Sequence, residues 1–158
     1  MESDRIMDRI SAERISHMHA IAEYMYEHAK DYGLEDEKEQ LYVLGLLHDI
    51  GAMRGPDNHA HNGSDILRMM EMSQKWLTVI DTHSMSPTDF CKYYGLRRDQ
   101  VPPIQILMWD ADMHFGPSGE YMTWKECADK RQAEWDRLGK KVNMYDVLDF
   151  LNEFGKTK

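Results

Sequence analysis

Apolar residues recur along the chain at three- and four-residue spacing, and alternating β-branched runs bounded by turn pairs are almost absent, which predicts helices and no sheet. After a short helical lead-in near residues 3–9, Ser11 is placed to cap a helix reaching about Asp31. Ile15, Met18, Ile21, Ala22 and Met25 share its buried face, and Gly33 stops it. Asp36 and Glu39 have the spacing of a capping box for a second helix, whose Leu41, Leu44 and Leu47 turn inward and which closes at His48-Asp49-Ile50-Gly51. A polar stretch over 52–58 leads to a helix start near Ala60. Ser73 opens a helix through Trp76, Leu77, Val79 and Ile80 towards His83. Ser86-Pro87-Thr88-Asp89 sets a cap, a first-turn proline and an acidic third position in order, with Gly95 as the stop. A short apolar helix follows from Pro102-Pro103 through Ile106, Leu107 and Trp109 to Asp110 and Asp112. Thr123 and Glu126 form another capping box before a helix reaching Leu138 and Gly139, and Asn143 caps a last one through Val147, Leu148, Phe150 and Leu151. The expected fold is an all-α, single compact helical bundle.

Length and charge narrow the class. At 158 residues the chain is the size of one domain, able to bury a core without staples. We expect a core of about residues 11–115 with C-terminal helices at about 123–155. No apolar run approaches the ~18 residues of a membrane span. The first ten residues alternate charge with isolated apolar side chains, unlike a secretory signal, so a cytoplasmic location and no membrane partner are expected. Cys91 and Cys127 stand far apart without a paired-thiol motif and are read as ordinary buried thiols. The formal charge of −9 argues against long nucleic acid as a partner, although a metal ion and a few local cations can still admit a small anion. Thirteen scattered methionines are read as core filling.

The candidate chemistry centres on His48-Asp49. Neighbours on a helix diverge by about 100°, so an adjacent His and Asp cannot normally serve one ion. At a helix terminus the second side chain can swing round, and a pair just before a glycine stop can then offer one nitrogen and one oxygen to a metal. The plainer reading is a C-terminal His favoured by the helix dipole. Around the pair stand Arg14-x-x-His17 early in the preceding helix, His61 at a helix start, His83 at a helix end, and Ala111-Asp112 late in another apolar helix.

In this order and helical setting, from Arg14 to Asp112, the series His, His-Asp, His, His, Asp resembles the HD-domain superfamily of metal-dependent phosphohydrolases. The middle histidines resemble its binuclear members, among them the bacterial enzymes that split diadenosine tetraphosphate symmetrically. The resemblance implies His17, His48, Asp49 and Asp112 as ligands of a first metal, with Asp49 bridging to a second ion held by His61 and His83. It implies one or two divalent ions: iron, manganese, zinc or cobalt, with magnesium and nickel as further options. Asp49 and His83 are the expected catalytic groups, a water activated by metal the nucleophile, and a nucleotide or other small phosphorylated molecule the substrate. Two other readings stay open on the same scaffold: a mixed-valence di-iron oxygenase, and a sensor domain that binds metal or nucleotide without turnover. A homodimer is also left open.

Several positions depart from the pattern or compete within it. Ala52 stands where many relatives carry Lys after His-Asp-Ile-Gly, and Arg54 is near enough to replace that phosphate contact. His59 competes with His61. Lys130 and Arg131 could reach a substrate phosphate, although a solvated helix face is the simpler account of that charge run. His19 lies off the ligand face, His28 is expected in solvent, and His114 is expected to be structural. Asp110 should point away from Asp112 and serve as a surface or outer carboxylate. Trp124 and Trp135 could stack on a base, but are more often core.

Overall fold

A computed structural model describes residues 12–50, 60, 62, 65, 67, 68 and 73–157. Seven α-helices are defined among them: α1 Ala12–His28, α2 Lys38–Leu47, α3 Gln74–Thr82, α4 Pro87–Tyr94, α5 Pro103–Asp112, α6 Trp124–Arg137 and α7 Tyr145–Phe154. Residues 60, 62, 65, 67 and 68 are helical as well, in the region between α2 and α3. The fold is all-α, as expected, and no strand occurs among the described residues beyond one isolated bridge, Phe115 to Tyr121. None of the described helices is long and apolar enough to cross a membrane. The lead-in at 3–9, Ser11, Arg54, His59 and His61 lie outside the described residues.

The punctuation read from sequence largely governs the helix ends. Ser86 accepts a hydrogen bond from Asp89 N with Pro87 at the first helical position, and Thr123 and Glu126 close a reciprocal capping box on α6. Gly33, Gly95 and Gly139 all take the left-handed conformation that stops a helix. Two starts differ. Asp36 and Glu39 do not form a capping box, because residues Glu35–Glu37 tighten into a 3-10 turn and push the start of α2 to Lys38. Met144 occupies the N-cap position of α7, while Asn143 reaches past it to accept from Tyr145 N.

Helix α5 is the axis of the core. Every residue from Ile104 to Ala111 is buried, the signature of a helix surrounded by others, and α1, α3 and α7 all pack on it. Its fully enclosed Leu107 and Met108 contribute roughly 1.5–3 kcal/mol each by burial. The most extensive pairing is α1 against α2. A Cβ on Gly45 would stand 2.8 Å from Ala22 Cα and 3.0 Å from Ala22 N, so glycine is what lets these two backbones approach. Both cysteines are buried and unpaired.

Candidate metal centre

Side chains from four helices converge where α1, α3 and α5 meet the C-terminal end of α2. Arg14 and His17, one turn apart on α1, face the same side. His48 caps α2 in helical geometry, Asp49 follows in the turn, His83 caps α3, and Asp112 is the last residue of α5. The expected helix terminus at His48-Asp49 is present and allows both side chains to point inward. His48 is fully enclosed, and Asp49, His17 and His83 are nearly so.

The contacts fall into two overlapping groups. His17 Nε2 lies 3.2 Å from Asp112 Oδ1 and 3.5 Å from Asp49 Oδ2, and His48 Nε2 lies 3.2 Å from Asp49 Oδ2 and 3.7 Å from Asp112 Oδ1. On the other side, His83 Nε2 lies 3.3 Å from Asp49 Oδ1. Within each of the sets His17, His48, Asp112 and His48, Asp49, His83, one ligand atom per residue lies within 4.8 Å of the others. Asp49 thus turns one oxygen to each group.

The opposite ring nitrogens show what these faces are for. His17 Nδ1 donates to Gly116 O at 2.9 Å, His48 Nδ1 to Gly45 O at 2.5 Å and His83 Nδ1 to Ile80 O at 2.6 Å. A carbonyl can only accept, so each neutral ring carries its lone pair on Nε2, aimed at a carboxylate. Lone pair against carboxylate is repulsive unless a proton or a metal ion lies between them. His48 Nε2 is buried without a hydrogen bond, a cost that coordination would remove. Burial works against charge on His48, but Asp49 and Asp112 outweigh it and push the ring's pKa up to about 10. A field that holds a proton so firmly also suits a divalent cation. Imidazoles locked by carbonyls, with hard carboxylate oxygens beside them, fit a first-row divalent ion.

Two arginines offset the two carboxylates. Arg14 donates to Asp49 Oδ2 at 3.0 Å and Arg131 to Asp112 Oδ2 at 3.3 Å. Burial alone would raise Asp112, yet Arg131, His17 and His48 outweigh it and hold this carboxyl well below its usual range. Arg131 therefore meets Asp112 rather than standing apart on a solvated face, while Lys130 beside it is exposed. His19 is exposed, and His28 pairs with Asp31 at 2.8 Å.

Asp110 points away from Asp112 but is not at the surface. It is completely buried, accepting from Tyr24 and Tyr32 hydroxyls (2.9 and 2.5 Å), Trp124 Nε1 (3.0 Å) and the Thr157 hydroxyl (2.7 Å). This polar knot ties α1, α5, α6 and the C-terminal tail together. Burial first, and Asp110 second, push both phenols far above their ordinary range. His114 belongs to the same knot, with Nδ1 donating to Met122 O at 2.8 Å and its ring stacked on Tyr121, which is the structural role expected of it. Trp124 is core, and Trp135 is only half-buried with Lys140 over its ring.

The sequence reading missed Gly45 and the carbonyl of Gly116. The first brings His48 to α1. The second fixes the His17 ring from a turn in which Gly119, at φ +83°, sits so close to α1 that a Cβ would lie 2.8 Å from Ser16 O.

Residues 14–113 match the family model of the HD domain. A protein of Methanocaldococcus jannaschii, described only as uncharacterized, is 36% identical over 73 residues, covering 44% of this chain and 43% of that protein. The match thus spans less than half of the relative's length. No solved structure matches.

Proposed function

This chain belongs to the HD domain family, and from that premise we propose that it is a metal-dependent phosphohydrolase acting on a nucleotide or another small phosphorylated metabolite. The observation that carries this reading is the enclosed His48 Nε2, which has no hydrogen bond and stands between the carboxylates of Asp49 and Asp112. His17, His48, Asp49 and Asp112 would hold a first divalent ion. Asp49 Oδ1 and His83, with His61, would hold a second, as in the binuclear members that the ligand order resembles. A cation there supplies Lewis acidity, making water a competent nucleophile near neutral pH and neutralising charge on the phosphoryl oxygens.

The chain's own residues do the rest. Nδ1–carbonyl bonds keep the three rings from rotating, so the Nε2 faces stay presented without reorganisation. Asp49 joins the two ligand groups through its two oxygens. Where no cation engages it, the His83 Nε2 lone pair can take up a proton, with Nδ1 still bonded to Ile80 O, and pass it on to a leaving oxygen. Arg14 and the less enclosed Asp112 form the edge of the cluster nearest solvent, and Arg14 brings a positive charge to it. Arg54, from outside the described residues, and Lys130 remain candidate phosphate contacts.

The test is a phosphatase screen over nucleoside mono-, di- and triphosphates and dinucleoside polyphosphates with added Mn²⁺, Co²⁺ or Mg²⁺. Phosphate release that a chelator abolishes is the expected result. Turnover that requires O₂, with no phosphate released, would replace hydrolysis by oxygenase chemistry. Tight nucleotide binding with no turnover under any metal would make the chain a sensor.

A further inference from the structure

Arg131 lies on α6, outside the residues that match the HD family. Its Nη1 donates to Asp112 Oδ2 at 3.3 Å, and its Nη2 donates to the main-chain oxygens of Asp112 and Phe115 at 2.7 and 3.2 Å. The other carboxylate oxygen, Oδ1, is the one facing His17 and His48. We propose that Arg131 is a positioning residue for the metal centre: it holds Asp112 Oδ2, so that Asp112 offers a cation Oδ1 alone. The proposal rests on the metal-centre reading above and deepens it.

An aspartate's terminal torsion is broad and two-fold, so an unrestrained Asp112 could present either oxygen or both. Asp112 also ends α5, where carbonyls lack helical partners and the backbone tends to fray. A guanidinium is a planar fork, and this one grips the side-chain oxygen and the main-chain oxygen of the same residue. That fixes the carboxylate plane relative to its own backbone. A lysine ammonium could keep the charge, but it lacks the rigid fork that engages all three oxygens. A carboxylate that offers one oxygen would take one position on a bound ion rather than two.

The fork also explains why a cation stands so close to a proposed metal. With two carboxylates in the centre, Arg14 engages Asp49 and Arg131 engages Asp112, each on an Oδ2. For Asp49 that oxygen is shared with His17 and His48. For Asp112 the arginine and the histidines take different oxygens, so Oδ1 is left turned to the two ring nitrogens.

The test titrates the full metal-free chain with Co²⁺, comparing wild type with Arg131→Met and Arg131→Lys and reading affinity and the visible absorption of the bound ion. Circular dichroism confirms folding, and Arg131→Lys, which retains the charge, decides the matter should Arg131→Met not fold. Both variants are expected to weaken Co²⁺ binding by about 10–100-fold and to alter its spectrum. Folded variants that bind Co²⁺ with wild-type affinity and spectrum would overturn the proposal while leaving the metal centre intact. A wild-type chain that takes up no Co²⁺ would overturn the metal-centre reading and this proposal with it.

Discussion

Gly45→Ala sets two physical effects against each other. In an isolated helix the change should stabilise by about 1 kcal/mol, since glycine is the poorer helix former. Here the new Cβ would stand 2.8 Å from Ala22 Cα and 3.0 Å from Ala22 N, with Met25 S at 3.1 Å. Methionine can rotate away, but the backbone of α1 cannot, so α2 must move outward by a few tenths of an ångström. Overpacking of this kind costs roughly 1–3 kcal/mol. Because the obstacle is backbone, we expect the upper part of that range and a net loss of about 1–2 kcal/mol. For a chain of this size that lowers Tm by about 2–8 °C in thermal unfolding followed by circular dichroism. The displaced end of α2 carries His48, so divalent-ion affinity should fall together with Tm. An unchanged or higher Tm would mean that helix propensity dominates and that the close approach of α1 and α2 is wrong.

Other perturbations separate the remaining parts of the account. Thr123→Ala removes the α6 capping box and should cost about 1 kcal/mol, visible as a Tm lower by ~2–4 °C; no change would deny the cap a role. Tyr24 and Tyr32 hold their protons in the folded chain, whereas unfolded tyrosine releases its own near pH ~10. The unfolded state then binds fewer protons, so stability should fall above pH ~10 by up to ~1.4 kcal/mol per pH unit for each phenol. Replacing both by Phe should flatten that slope in alkaline denaturant titrations, and an unaltered slope would contradict it. In the metal-free chain His48 holds its proton to about pH 10, against ~6.5 when unfolded, so its contribution is complete below ~6.5 and is lost as pH rises through the folded value. A divalent ion must displace that proton, and calorimetry at pH ~7.5 in buffers of differing ionisation enthalpy should register release of about one proton per ion, with none as the contrary result.

Local chemistry made much of this legible in the sequence. Ser86-Pro87, the Thr123 and Glu126 pair, and the glycines at 33, 95 and 139 act within a turn of themselves, so their effect survives folding. The order of His17, His48-Asp49, His83 and Asp112 was readable through its resemblance to the HD pattern, and all but His17 stand at helix ends. Where long-range contact decides, sequence was silent. Angular spacing correctly turned Asp110 away from Asp112, but could not reveal donors from α1, α6 and Thr157 closing over it. Arg131 read as part of a solvated charge run because its partner lies on another helix. Gly45 resembled a weak helix position until the backbone of α1 was placed against it. The failed box at Asp36 shows the limit of spacing alone, since a 3-10 turn satisfied the same stretch differently.

The central claim is that His48 and Asp49 anchor a metal ion, and elemental analysis of protein purified without added metal tests it most directly. Wild type should carry close to one or two first-row divalent ions per chain, while His48→Ala and Asp49→Ala should lose metal and phosphatase activity with little loss of helicity. An Asp49→Ala protein that is metal-replete and fully active would contradict the account.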